Sequence, residues 1–141
     1  LRWPQMANYT VDPTAVIASS RASKFTAPAG VAINAGQSVY VAADGTLGLY
    51  DANAAAPANV FAGIALDSGA AGQPIVVAKT DPNFGPGFTL AAGEVVVGSA
   101  TPGGLCPVAD LASGTVPTVV GVGIGGNKMD FAPFSGGVAK P

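Results

Sequence analysis

Short apolar runs with a two-residue alternation recur along the chain, separated by turn-forming pairs. The clearest are 37–42 (QSVYVA), 46–50 (TLGLY), 60–66 (VFAGIAL) and 73–79 (QPIVVAK). Further on come 94–98 (EVVVG), 104–108 (GLCPV), 117–124 (PTVVGVGI) and 127–132 (NKMDFA). Between them stand Asp44-Gly45, Ser68-Gly69, Asp81-Pro82, Pro102-Gly103-Gly104 and Gly125-Gly126-Asn127. Such residues supply the positive φ, the fixed φ or the local side-chain acceptors that turns need. Val-rich segments of this length, bounded in this way, predict strands. Helix is poorly supported, because one Glu, four Lys and three Gln cannot clothe the solvent face of several helices. The alanine-rich stretch 51–60 is interrupted by Pro57 and offers one short turn at most. The pattern predicts an all-β fold, a compact β-sandwich or jelly-roll-like barrel of roughly eight to ten strands.

A weak internal repeat runs through these segments. INAGQSVYVA at 33–42 resembles LAAGEVVVGS at 90–99, with Gly36 over Gly93 and Val39 over Val96. FAGIAL at 61–66 resembles VGVGI at 120–124, with Gly63 over Gly121, and GQPIVVA at 72–78 resembles GNKMDFA at 126–132. Residues 28–141 therefore read as a single β-sandwich domain with a duplication over about 33–78 and 90–132. Residues 1–27 differ: they contain no Gly and carry Arg2, Arg21 and Lys24 against Asp12 alone. They read as an extended N-terminal arm, with 15–18 (AVIA) as one strand before the polar stretch 19–24 (SSRASK). Such an arm is either a strand added to the body or a tether onto a partner. Leu1 is not an initiator whereas Met6 opens MANYTVDP, so residues 1–5 read as upstream sequence, a processing remnant or an expression scar.

Composition narrows the function. The 141 residues include no His and one Cys, so neither a His-based triad, a His-containing zinc site nor an internal disulfide is possible. The net charge of −2 argues against nucleic acid as partner. No apolar run reaches the roughly 18 residues of a membrane helix, and no basic-plus-apolar signal peptide opens the chain. A soluble protein without disulfides, and not an enzyme, is expected.

The motifs with chemical potential each have a structural explanation. GVGIGG at 121–126 has the G-x-G-x-x-G spacing, but a phosphate cradle needs a helix directly after it and NKMDFAP shows no helical period. Two glycine-bearing strands meeting at a turn fit better. DPNFGP at 81–86 hints at a calcium loop, yet the twelfth position, where such a loop carries a bidentate Glu, is Ala92. A rigid surface turn is expected there. Asp44, Asp51, Asp67, Asp81 and Asp110 lie at strand ends as turn formers. Cys106, between Leu105 and Pro107, reads as a buried structural thiol, and Asn8-Tyr9-Thr10 as a sequon in form only. No catalytic, cofactor-binding or metal-binding residue is expected. What remains is a surface with 14 charges to distribute, so small neutral residues must cover much of it. Such a surface suits docking against other subunits better than life as a free monomer.

The segments AGVAINAGQSVYVAADGTLGLYDA, NVFAGIALDSGAAGQPIVVAK and LAAGEVVVG resemble the head decoration, or cement, proteins of tailed bacteriophages. The shared pattern is a small-Gly-hydrophobic-Val strand, a short hairpin, then Gly63-Ile64-Ala65, and a Gly-rich turn at Gly72 before Val76 and Val77. It covers about 28–132. The resemblance implies a β-rich module on the outer surface of an icosahedral capsid, holding neighbouring major capsid subunits together without catalysis. It implies a homo-oligomer, with a dimer favoured and a trimer possible. The expected partners are the major capsid protein and a second copy of the chain, with no nucleic acid, membrane or cofactor. A phage fibre or receptor-binding β module is the alternative. The capsid-contact candidates are Arg21 and Lys24, for an acidic capsid surface, and the apolar Val16 and Ile17.

Overall fold

Each Val-rich run becomes a strand in the computed structural model, which describes residues 8–108 and 118–135. The strands are β1 (Val16–Ile17), β2 (Ser23–Pro28), β3 (Ser38–Val41), β4 (Leu47–Leu49) and β5 (Gly63–Ala65). They continue with β6 (Pro74–Pro86), β7 (Val95–Gly98), β8 (Leu105–Pro107), β9 (Thr118–Gly125) and β10 (Lys128–Ser135). One 3-10 turn at Pro13–Ala15 precedes β1, and no α-helix occurs among the described residues. The fold is all-β, as the alternation predicts: ten antiparallel strands form one strongly curled half-barrel sheet. Residues 1–5 and Asp110 lie outside the described residues.

The strand order is β4-β3-β5-β6-β10-β9-β7-β8, with β1 and β2 also paired to β6. It reads the same from either edge: a hairpin, a third strand, then a long central strand. The segments that resemble one another in sequence occupy corresponding places, β3 with β7, β5 with β9 and β6 with β10, and the order sets β4 against β8 as well. The matched glycines share a physical reason. A Cβ on Gly121 would come within 2.6 Å of the Asp130 carbonyl oxygen, and one on Gly63 would collide with that of Ala78. Only glycine lets these strands approach.

One turn is used three times. Gly36, Gly72 and Gly93 have φ of +91°, +90° and +84° and stand just before β3, β6 and β7. The next residue, Gln37, Gln73 or Glu94, turns its side-chain oxygen back to accept the N–H three residues earlier. The distances are 2.8 Å to Asn34, 2.6 Å to Ala70 and 3.3 Å to Ala91. The β9–β10 connection is a two-residue loop, Gly126-Asn127, with φ of +65° and +57°. Two consecutive positive φ values are what a type I′ hairpin requires. GVGIGG therefore ends in a hairpin.

The core has three parts. Ile64, Phe84, Val96, Leu105, Val120, Met129 and Phe131 fill the hollow under the C-terminal half of the sheet. Ile33, Val39, Leu47, Ile75 and Val77 fill that of the N-terminal half. Tyr50, Val97 and Cys106 form a third group, and Phe61 packs against both this group and the first. Edge-on contacts of Phe61 with Tyr50 and Phe131, at 5.4 and 6.1 Å between centroids, join the two. Cys106 is buried there, as its apolar neighbours suggest.

One expectation needs correction. DPNFGP at 81–86 is not a surface turn: β6 runs through it, and Asp81 and Phe84 are fully buried. The strand tolerates Asp81-Pro82 because β6 carries an extra residue there, three steps from Asp81 to Phe84 against two from Phe131 to Met129 of β10, and because the Asp81 carboxylate gains bonds of its own. The polar stretch 19–24 runs into a strand. Its last two residues open β2, whose Phe25 and Ala27 lie opposite Val77 and Ile75 of β6.

Candidate docking surface

The N-terminal segment is built onto the body through backbone pairing. Val16 and Ile17 of β1 face Pro86 and Gly85, and β2 runs antiparallel to the first half of β6. The two ends of the segment reach both edges of the sheet. The Tyr9 N–H donates to the Leu105 carbonyl of β8 at 2.8 Å, while Ala29, just past β2, bridges Leu47 of β4. Tyr9 also stacks on Phe88, 4.0 Å between centroids, and its hydroxyl donates to Glu94.

Between β1 and β2 the chain is held at one point. Asp81 accepts the Ser19 N–H at 2.6 Å, the Ser19 hydroxyl, and the Asn83 N–H at 3.0 Å. Burial pushes this carboxyl up, but the Ser19 and Asn83 bonds and the nearby Arg21 charge outweigh it and hold its pKa below the ordinary value. Asp81 is thus an ionised anchor under Arg21.

The four candidate contact residues divide. Val16 is half-buried and packs against the first core group, whereas Ile17 is 57% exposed. Arg21 and Lys24 are exposed on either side of the start of β2. Sequence reasoning missed Lys79. The pairing jumps from Lys24↔Ala78 to Ser23↔Thr80, which leaves Lys79 as the extra residue beside Lys24. No pattern in the sequence announces that bulge.

Large apolar side chains are exposed elsewhere. Phe134 is 68% and Val60 59% exposed, and both line a shallow groove of about 170 Å³ with Phe61, Thr118 and Pro133. Phe134 follows from alternation: Met129 and Phe131 point to the core, so the even positions of β10 face out. A wider, open groove of about 420 Å³ lies between β1 and the β9–β10 turn, where Gly85 separates Ile17 from Lys128. Among the described residues no three His, Cys, Asp or Glu side chains come together as a metal site. Compared with known protein families and with characterised proteins, the chain matches none.

Proposed function

We propose that this chain is a structural protein of a tailed-bacteriophage virion, a decoration protein that lies on the outside of the capsid and ties neighbouring major capsid subunits together. The observation that carries this reading is the surface. Eight large apolar side chains are exposed among the described residues, while the chain has only 14 charged residues. Apolar exposure with so little charge around it suits a surface that is covered in use. The strand-and-turn pattern shared with phage cement proteins points the same way. Phe134 and Val60 are suited to contact a second copy, and Ile17, Arg21 and Lys24 the shell.

The mechanism is linkage. A protein that binds the assembled shell and not free subunits shifts the shell toward its closed state. At 100 times its dissociation constant it contributes about 2.7 kcal/mol per site. No reacting side chain is required. The test is to add purified protein to heads that lack it, then to measure co-sedimentation and the temperature of heat-induced DNA release. Binding with a raised release temperature is expected. Absence of binding, with binding to host cells instead, overturns this reading in favour of a fibre or receptor-binding module.

A further inference from the structure

The outer edge of β2 combines an unfilled row of backbone groups with the densest positive charge on the described surface. β2 pairs with β6 alone, and no backbone bond leaves Ser23–Ala27 in the other direction among the described residues. The orientation of the free groups follows from alternation. Ala29 donates to the Gln73 carbonyl at 2.9 Å and accepts the Gly72 N–H at 2.7 Å, so its backbone faces the β6 side. Ala27 and Phe25, two and four residues earlier, face the same way. On β6, Val76 turns its carbonyl to Leu66 at 2.8 Å, toward β5 and away from Thr26. The N–H and C=O of Lys24 and Thr26 therefore point outward. Pro28, the next outward position, has no N–H and ends the donor row.

Charge surrounds this edge. Of the four basic residues described, Arg21, Lys24 and Lys79 are gathered here and all are exposed. Asp81, the acid nearest to them along the chain, is buried and committed to Ser19 and Asn83. Asp67 lies across β6, where its carboxylate accepts the Val76 N–H at 3.1 Å, and Asp130 is on β10. Ionised Asp81 offsets part of the Arg21 charge, and among the described residues no acid pairs with Lys24 or Lys79.

We infer that the outer edge of β2 takes an extended acidic segment of a shell protein, which adds to the sheet as a further strand. The inference rests on the proposed function for the identity of the partner. Backbone bonds from Lys24 and Thr26 supply affinity, and Arg21, Lys24 and Lys79 select acidic side chains. A second copy is the poorer occupant, because antiparallel pairing of two β2 edges brings like charges together. Nucleic acid is poorer too, since the chain as a whole carries −2.

Two variants separate the components. Thr26→Pro removes an outward N–H and no bond to β6, which an edge strand tolerates. Lys24→Glu with Lys79→Glu reverses the charge and leaves the backbone untouched. Binding to nuclease-treated heads lacking the protein is measured by co-sedimentation at low and moderate salt, with unfolding midpoints as the fold control. We expect wild type to bind, both variants to bind at least tenfold more weakly, and the charge effect to shrink as salt rises. Should Thr26→Pro fail to fold, a smaller outward block, N-methylation of Thr26 by semisynthesis, replaces it. Wild-type binding with both variants unimpaired overturns the inference and leaves Lys24 as a guard against edge aggregation, while the decoration reading stands. Loss in the charge variant alone overturns strand addition. Loss of wild-type binding on nuclease treatment assigns the edge to nucleic acid, and no wild-type binding before or after treatment removes the decoration reading itself.

Discussion

Asp81 offers the sharpest test of how the N-terminal segment is fastened. Its two oxygens receive three hydrogen bonds, two from Ser19 and one from Asn83. Asp81→Asn keeps the volume but presents an amide donor to groups that are themselves donors. Bonds to a charged partner contribute about 1.5–3 kcal/mol each, and losses within one cluster do not add fully. A cost of about 2–3 kcal/mol is expected near neutral pH. At about 3 °C per kcal/mol for a chain of this size, the midpoint falls by about 6–9 °C. Ser19→Ala loses the hydroxyl bond and keeps the N–H, so its cost is smaller, about 1–2 kcal/mol.

The pH dependence fixes the cause. A carboxyl whose folded pKa is depressed contributes stability that is complete above its unfolded value of about 3.9. That stability is lost as pH falls through the folded value, because the native state then has to take up a proton that the unfolded state already holds. The gap in midpoint between wild type and Asp81→Asn should therefore be constant above about pH 5 and close below about pH 4. Thermal unfolding followed by near-ultraviolet circular dichroism across a pH series reads it directly. A gap of less than about 1 °C near pH 7, or one of unchanged size at pH 3, refutes the account of Asp81 as an ionised anchor.

Gly123→Ala and Gly63→Ala put a Cβ against the backbone carbonyls of Ala91 and Ala78, which cannot rotate away. Each should cost more than about 2 kcal/mol by denaturant melts. Gly93→Ala, with φ of +84° but nothing within 4 Å, should cost only about 1–2 kcal/mol. Removing residues 1–22 deprives Phe88 of its Tyr9 stack and Asp81 of Ser19, so the truncated protein should melt at least about 10 °C lower. On the proposed contact with a second copy, Phe134→Ser with Val60→Ser should shift the protein toward monomer in light scattering while leaving its melting point within about 3 °C, because both side chains are mostly in solvent.

Much of the fold was legible because its strands carry the period-two signal in Val, Ile and Phe, and its turns carry Gly. The runs at 37–42, 46–50 and 94–98 hold β3, β4 and β7 within a residue or two of their ends. What was hidden depends on partners distant in sequence. Asp81-Pro82 has the chemistry of a turn, and it stands in mid-strand through its bonds to Ser19, 62 residues away, and the register shift against β10. β2 lacks the composition of a strand at its start, and its pairing comes from β6 rather than from its own propensity. Of the candidate surface, Arg21 and Lys24 were visible as charge in an otherwise neutral chain. Lys79 was not, because its place beside Lys24 is set by a one-residue register shift.

The arrangement also explains why the segment that opens the described chain matters more than its length suggests. The symmetric strand order leaves two short edges, β4 and β8, far apart in sequence. Residues 8–30 touch both, through Tyr9 at Leu105 and through Ala29 and Gly30 at Leu47, and between those ends they pair along β6, the strand common to both halves. A load applied to this segment is therefore shared by both hollows of the core instead of peeling one hairpin. Edge strands are otherwise where a sheet frays or recruits the wrong neighbour. Here the same segment that touches those edges presents along β2 a charged flank that no described strand covers. Under the proposed function, attachment at β2 would thus bear on the central strand directly, where tension from a partner meets the least deformation of the core.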